Sequence, residues 1–225
     1  MSDREQLHKD ETRIYIAIKE AIQNGAFPPG YRLVEREVAK QFGTSRTPVR
    51  SAINRLATEG YIEQLPHRGA IVKKLSVEDI IKLLEVREAL EGAACRLAVK
   101  YITQEDKDKL QEIIKEMEEA VNQNDFLRYY GLSGELHKKI LGCCNNQYLY
   151  DMAERVNLQT TRFQFRNILV PGRIKKSIEE HKEIVEKVLC GDELGAEESM
   201  KKHIRIVKEM LLNNKNMNCD SYFTI

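Results

Sequence analysis

Apolar residues recur at helical spacing along most of this chain, and glycine, proline and asparagine separate the periodic stretches. Near its beginning the pattern predicts three helices: one from about residue 12 to residue 23, one that carries Arg36, and one that follows Ser45. Residues 61–65 and 70–72 alternate like strands on either side of a turn at 66–69. Three helices followed by a hairpin predict a winged helix-turn-helix.

From residue 76 onward the apolar periodicity is helical, and no stretch alternates convincingly. The first helix of this part places four apolar residues on one side, which we expect to face the interior: Leu83, Val86, Leu90 and Leu97. Further helices are predicted after Thr103 and over residues 126–141, 148–168, 174–189 and 196–212. The sequence therefore predicts an all-α antiparallel bundle.

The two patterns divide the chain into a winged helix-turn-helix over residues 1–75 and a bundle over residues 76–225. Residues 1–75 hold 13 Lys and Arg against 9 Asp and Glu, a net charge of +4, whereas the remainder has a net charge of −3. A basic first part suits a polyanionic partner, and an acidic second part suits a separate task. For the tail at 213–225, docking and disorder both stay open.

The third helix of the first part carries the most specific local pattern. Gly43 supplies the turn before it, and Ser45 is predicted to cap it. Arg46 and Arg50 lie four residues apart opposite its apolar side, with Thr47 beside Arg46. Two guanidinium groups and a hydroxyl on a solvent-facing helix suit contacts with phosphates and guanine edges. An ordinary solvated basic face would show the same arginine spacing.

A wider set of motifs makes the resemblance specific. The set is Gly25, Pro29-Gly30, Leu33, Glu35-Arg36-Glu37, Ala39, Ser45-Arg46-Thr47-Pro48-Val49-Arg50, Leu56, Glu59-Gly60, Arg68-Gly69 and Val72. These residues resemble the GntR family of bacterial transcription regulators. The resemblance implies that Arg36, Arg46, Thr47 and Arg50 contact phosphates and base edges in the major groove, and that Arg68 and Gly69, at the tip of the wing, contact the backbone or the minor groove. We also assign Ser45 to the DNA-binding set.

The five cysteines are odd in number and show no C-x-x-C spacing, so they indicate reduced thiols rather than a disulfide framework or a zinc finger. No basic-then-apolar leader opens the chain, and no apolar run approaches the roughly 20 residues that a membrane helix needs. We therefore expect a soluble, cytoplasmic protein.

Three histidines in the bundle lie on separate predicted helices. His137, His181 and His203 each share a helix face with apolar residues, so each imidazole is predicted to point inward. Neutral imidazoles that converge in a bundle core suit one divalent metal ion per chain, such as zinc or nickel. Three unrelated core histidines, each hydrogen-bonded to a neighbour, would give the same pattern.

The bundle also resembles the FCD effector domain of the FadR subfamily of GntR regulators. The residues that carry the resemblance are Glu85-Val86-Arg87, Leu90-Glu91, Leu136-His137, Ile140, Asn146, Glu180-His181, Ile184 and His203-Ile204. Many such domains bind a metal through three histidines and an aspartate, and the resemblance implies that His137, His181 and His203 are the histidine ligands. The aspartate position is Ser133 in this sequence.

A serine lacks the carboxylate charge, so we expect weaker cation binding unless an effector carboxylate or water takes the fourth position. The alternative is direct binding of an organic anion by the neutral histidines and Arg87, although Arg87 also stands four residues before a possible partner, Glu91. We assign Arg87, Ser133 and Asn146 to effector binding.

These observations predict a ligand-responsive transcription regulator, not an enzyme. Its partners would be double-stranded operator DNA of palindromic or near-palindromic sequence, a small organic acid and a second copy of the chain. Two alternatives stay open: a metal-dependent enzyme that uses the histidine pocket, and a DNA-binding protein without an effector. No H-E-x-x-H, G-x-S-x-G or dinucleotide motif supports the enzyme.

Overall fold

The computed structural model describes residues 3–23, 25–65 and 69–213. It divides into two compact units, one ending at Ser76 and the other beginning at Val77. The first is a winged helix-turn-helix with a small antiparallel sheet, and the second is built of helices in its described part. The predicted fold class is confirmed.

In the first unit a helical core supports a small sheet. Its elements are α1 (Asp3–Gln23), β1 (Arg32–Leu33), α2 (Glu35–Phe42), α3 (Arg46–Thr58), β2 (Ile62–Leu65) and β3 (Gly69–Val72). Helices α1 and α3 pack together and bury apolar side chains such as Ile14, Ile18 and Val49. The strand order is β1-β3-β2, with Leu33 opposite Ala70 and Ile62 opposite Val72.

The connection between α2 and α3 depends on Gly43. This residue ends α2 with a φ of 63°, in the left-handed region that a side chain disfavours. The amide of Thr44 then donates to the carbonyl of Ala39, which closes the helix end. The tight turn brings α3 into position as the exposed second helix of the pair.

Two details of the first unit differ from the prediction. Helix α1 begins at Asp3 rather than near residue 12, because a polar helical extension carries no apolar period to reveal it. There Gln6 donates to Asp10 and Thr12 to the carbonyl of His8, each bond spanning one turn. The two-residue strand β1 was not predicted, since so short a segment has no detectable alternation.

The second unit contains six helices in the part of the chain that the structure describes. They are α4 (Val77–Tyr101), α5 (Gln104–Asn122), α6 (Phe126–Gly142), α7 (Gln147–Ile168), α8 (Arg173–Cys190) and α9 (Glu193–Asn213). Each agrees with a predicted helix to within a few residues at its ends. Thr103 caps α5 in a reciprocal capping box with Asp106.

The prediction of the inward face of α4 was wrong at Val86, which is 47% exposed. The buried face is instead formed by Ile80, Leu84, Arg87, Glu91, Gly92, Ala94, Cys95 and Ala98. From Gly92 onward this face is made of small residues because α9 passes close by: a Cβ on Gly92 would lie 2.8 Å from the side chain of Lys201. A rule that looks for large apolar residues chooses the other side of such a helix.

Arg68 and residues 214–225 lie outside the residues that the structure describes, and the prediction for the tail falls almost entirely on them. Within the described ranges, no helix combines the length and the apolar character that a membrane crossing needs.

Candidate functional site

Three buried histidines meet in the second unit. His137 comes from α6, His181 from α8 and His203 from α9, and each is less than a tenth exposed. One ring nitrogen from each lies within 4.8 Å of the other two. The Nε2 atoms of His137 and His181 are 3.3 Å apart. The structure thus brings together the three imidazoles that the sequence placed on separate helices.

The other ring nitrogens contact a surrounding layer of polar groups. Nδ1 of His137 lies 2.5 Å from an oxygen of Glu91, and Nδ1 of His203 lies 2.7 Å from an oxygen of Glu180. A carboxylate accepts hydrogen bonds, so it fixes the proton on Nδ1 and leaves the Nε2 lone pair of the same ring free. Nδ1 of His181 lies 3.1 Å from the hydroxyl of Tyr129.

Glu91 and Glu180 also each bind a buried arginine. Nε of Arg87 donates to Glu91 over 2.5 Å, and the two side chains are only 5% and 1% exposed. Arg173 donates from both terminal nitrogens to the two oxygens of Glu180, over 2.6 and 2.7 Å. Burial by itself would raise the pKa of Glu91, but the charge of Arg87 and the hydrogen bonds from His137 and Arg87 hold that pKa well below its usual value. Glu180 behaves similarly: burial opposes ionisation, yet the hydrogen bonds from His203 and Arg173 lower its pKa.

Burial keeps two of the histidines neutral. Desolvation, followed by repulsion from the neighbouring histidines and Arg173, lowers the pKa of His181 well below its ordinary value. Desolvation also lowers the pKa of His203 to about 4, although Glu180 opposes the shift. Neutral imidazole is the form that coordinates a metal ion.

The donor set fits a divalent metal ion. A tetrahedral zinc site with Zn–N bonds of about 2.0–2.1 Å places its nitrogens about 3.3 Å apart, which matches the 3.3 Å between the Nε2 atoms of His137 and His181. Two lone pairs facing each other at that distance repel unless a proton or a cation lies between them. Carboxylates behind the histidines also correspond to the outer layer of known metal sites.

The predicted fourth position is adjacent to the cluster. The Ser133 hydroxyl lies 3.4 Å from Nε2 of His181, so this side chain faces the nitrogens where a ligand would bind. The Ser133 side chain adds no charge to the site. The remaining buried charges cancel, because Arg87 offsets Glu91 and Arg173 offsets Glu180.

Two predicted effector residues have other contacts. Arg87 is the buried partner of Glu91, and its Nη2 lies 3.4 Å from Nδ1 of His137, so it lines the cluster but is already paired. The side chain of Asn146 is exposed, and its Oδ1 accepts from the amide of Leu149 at the start of α7. A polar residue after a glycine-containing turn is more often a helix cap.

Sequence reasoning missed the polar layer around the histidines. Glu180, Arg173 and Tyr129 were given no part in the site, and Glu91 was considered only as a possible partner of Arg87, although all four lie next to the histidines. The available signal was spacing, since Arg87 and Glu91 are one helical turn apart and Arg173 and Glu180 two turns apart.

In the first unit, Arg46 and Arg50 lie together at the surface. Their side chains are 63% and 59% exposed, and both contact Glu35 at the start of α2. They line a groove of about 550 Å³ that also includes Arg36 and Gly69. Thr47 is exposed beside them. The structure thus places the described residues of the predicted DNA-contacting set on or beside one groove.

Ser45 occupies the N-cap position of α3 with an extended backbone. Among the described residues its side chain accepts no capping hydrogen bond, and it is exposed. Ser45 therefore occupies the predicted cap position, but its side chain does not make a capping hydrogen bond to the described residues.

A winged helix-turn-helix with exposed arginines, followed along the chain by a helical unit with a buried histidine cluster, is typical of bacterial transcription regulators. The model of the gntR family of bacterial regulatory proteins matches residues 11–72, and the model of the FCD domain matches residues 82–206. The chain belongs to the gntR family and carries an FCD domain. These families consist of DNA-binding transcription regulators, not enzymes.

Individual relatives agree with this assignment. An uncharacterized HTH-type transcriptional regulator of Agrobacterium vitis is 39% identical over 132 residues, which cover 57% of this chain and 77% of that protein. The HTH-type transcriptional repressor RspR of Escherichia coli is 24% identical over 208 residues, 92% of this chain and 91% of that one. The solved structure of Escherichia coli McbR/YncC superimposes with a TM-score of 0.77 at 22% identity and covers 92% of this chain and 98% of that chain, which shows a shared fold.

Proposed function

We propose that this chain is a ligand-responsive regulator that binds a palindromic or near-palindromic operator as a homodimer. Its DNA contacts come from Arg36, Ser45, Arg46, Thr47, Arg50 and Gly69, together with Arg68. Its affinity for DNA changes when a small carboxylate binds in the helical unit. The observation that carries the proposal is the buried cluster of His137, His181 and His203, with ring nitrogens within 4.8 Å of one another.

The histidine cluster binds one divalent metal ion, zinc or nickel, in this proposal. The close approach of the Nε2 atoms of His137 and His181 supports it, and so do the carboxylates that fix the Nδ1 protons of His137 and His203. When bound, the ion supplies a Lewis-acidic position that an effector oxygen can occupy.

Charge balance favours a carboxylate as the effector. The two arginine–glutamate pairs leave the buried site neutral, and Ser133 adds no charge. A divalent cation would therefore bring two uncompensated positive charges into a poorly solvated site, which is unfavourable. A carboxylate beside Ser133 offsets part of that charge, so metal and effector are expected to bind cooperatively.

The exposed apolar side of α4 supports dimer formation. Val86 is 47% exposed, while Leu83, Leu90 and Leu97 on the same side are only partly covered within their own chain. A second copy would cover this stripe and place two winged helices on two half-sites, whose spacing follows the symmetry of the dimer.

Elemental analysis of protein purified without chelators tests the metal site. We expect close to one equivalent of zinc or nickel per chain, or uptake of one equivalent on titration. His181→Ala/His203→Ala should lose this uptake, and His8→Ala, which removes an exposed histidine from α1, should retain it. Wild-type protein that neither contains nor takes up metal would leave only direct binding of an organic anion.

A thermal-shift screen of small organic acids, with and without added zinc, identifies the effector. A ligand at about 100 times its dissociation constant stabilises the folded state by about 2.7 kcal/mol. We expect carboxylates to raise the melting temperature more with zinc present than without it. Unchanged recovery of the compound after incubation would separate a sensor from an enzyme.

A further inference from the structure

The two exposed arginines of α3 share a single carboxylate in the first unit. Nε and Nη2 of Arg50 donate to the two oxygens of Glu35 over 2.8 and 2.9 Å. Nε and Nη2 of Arg46 both approach Oε2 of Glu35, at 3.3 and 2.8 Å. Glu35 is the more covered member, since 25% of its side chain is exposed against 63% and 59% for the arginines.

Glu35 already occupies one edge of each guanidinium group. A guanidinium has a side edge, formed by Nε and one terminal nitrogen, and an end edge, formed by the two terminal nitrogens. Both arginines use the side edge on Glu35. The end edge, with the remaining N–H groups, is left for a partner, and it is suited to the O6 and N7 atoms of guanine.

We infer that Glu35 is a positioning residue for DNA recognition, which orients Arg46 and Arg50 and so determines sequence specificity. This inference rests on the proposed function. The hydrogen bonds from Arg50 and Arg46 lower the pKa of Glu35 to about 2, although partial burial opposes the shift, so the carboxylate remains charged at neutral pH. It also offsets one of the two positive charges and thereby weakens attraction to phosphates of any sequence.

The simpler interpretation is a surface ion pair that only reduces net charge. Such pairs contribute little to stability, so variants of Glu35 should fold. The two possible roles of Glu35, as a counter-charge and as a positioning residue, predict different results for its variants. Loss of a counter-charge strengthens binding to all duplexes by the same factor, whereas loss of positioning lowers the preference for the right sequence.

The experiment begins by selecting a preferred operator from a random duplex pool with the full-length wild-type protein. Fluorescence anisotropy then measures the dissociation constants for the selected and a scrambled duplex at several salt concentrations. Glu35→Gln removes charge and positioning together. Glu37→Gln, an exposed residue of the same helical turn, removes the same charge without touching the arginines and is the matched control.

We expect Glu35→Gln to bind the scrambled duplex several-fold more tightly and with a steeper salt dependence. Its ratio of specific to non-specific affinity should fall about tenfold or more, because a bidentate arginine–guanine contact provides discrimination of that size. Glu37→Gln should leave the ratio unchanged. Glu35→Asp keeps the charge but retracts it, so it should restore non-specific binding to the wild-type level while recovering only part of the ratio.

A Glu35→Gln ratio within twofold of the wild-type ratio would overturn the inference and leave the proposed function intact. A ratio fully restored by Glu35→Asp would also overturn it, since charge alone would then explain the effect. Failure of the wild-type protein to select any sequence would contradict the proposed function itself, and the inference with it.

Discussion

Glu91→Gln tests the buried polar layer most sharply. The substitution keeps the shape of the side chain but removes the carboxylate charge that Arg87 and His137 both contact over 2.5 Å. Arg87, whose side chain is 5% exposed, would then be a buried charge without its counterpart. Removal of one partner of a buried ion pair costs about 3–5 kcal/mol.

That free energy corresponds to a fall in melting temperature of roughly 6–20 °C for a unit of this size. A second consequence concerns the metal ion. Without the carboxylate, the Nδ1 proton of His137 is no longer fixed, and loss of such an outer partner typically weakens metal affinity about 10–100-fold. Stability and metal affinity are therefore both expected to fall.

A double variant separates the two effects. Arg87→Met/Glu91→Gln removes the arginine as well, so no unpaired charge stays buried and most of the lost stability should return. Its metal affinity should stay low, because His137 still lacks its carboxylate. Calorimetry of chelator-treated protein measures stability, and titration against a competing chelator measures zinc affinity. A loss below about 1 kcal/mol in Glu91→Gln, or wild-type zinc affinity in both variants, would refute this account of the layer.

Three further predictions concern the DNA surface, the pH dependence of stability and the dimer. Arg50→Ala should abolish operator retention in a gel shift while the protein remains folded. Arg55→Ala, at a residue of α3 whose side chain contacts Glu59 just after the helix, should retain the operator; equal retention by both variants would contradict the assignment. In chelator-treated protein, burial lowers the pKa of His203 in the folded state to about 4, against an ordinary value of 6.5. The contribution of neutral His203 to the free energy of unfolding is therefore complete above pH 6.5, and about 3 kcal/mol of it is lost as the pH falls towards 4. Thermal unfolding at several pH values measures this loss, and an unchanged pH profile in His203→Gln would contradict it. Val86→Lys should shift sedimentation from dimer to monomer, whereas Leu127→Lys, at a residue 70% exposed on α6, should not; a dimer that persists in Val86→Lys would place the interface elsewhere.

Local signals made the first unit predictable. Gly43 ends α2 because a left-handed residue is needed there, and the arginines of α3 are exposed because Val49, Ala52 and Leu56 occupy its buried side. Such information lies within a few residues along the chain, so it can be read from the sequence directly.

The helical unit shows where such reading fails. The histidines could be placed on inward faces, since each shares its helical stripe with apolar residues. The inward position of Glu91 and Glu180 could not be predicted, because a charged residue is expected to face solvent unless its partner from another helix is known. The inward face of α4 was misjudged at Val86 for a related reason: close packing against α9 selects small residues, and only the tertiary structure reveals α9 as the neighbour.

The central claim is that the histidine cluster controls DNA binding, and operator affinity with and without effector tests it most directly. The carboxylate found by thermal shift, added with zinc, should change the dissociation constant of the wild-type protein for its operator by about 5–150-fold. His181→Ala/His203→Ala should bind the operator as unliganded wild-type protein does and should show no response. A double variant that responds as fully as the wild-type protein would contradict the claim.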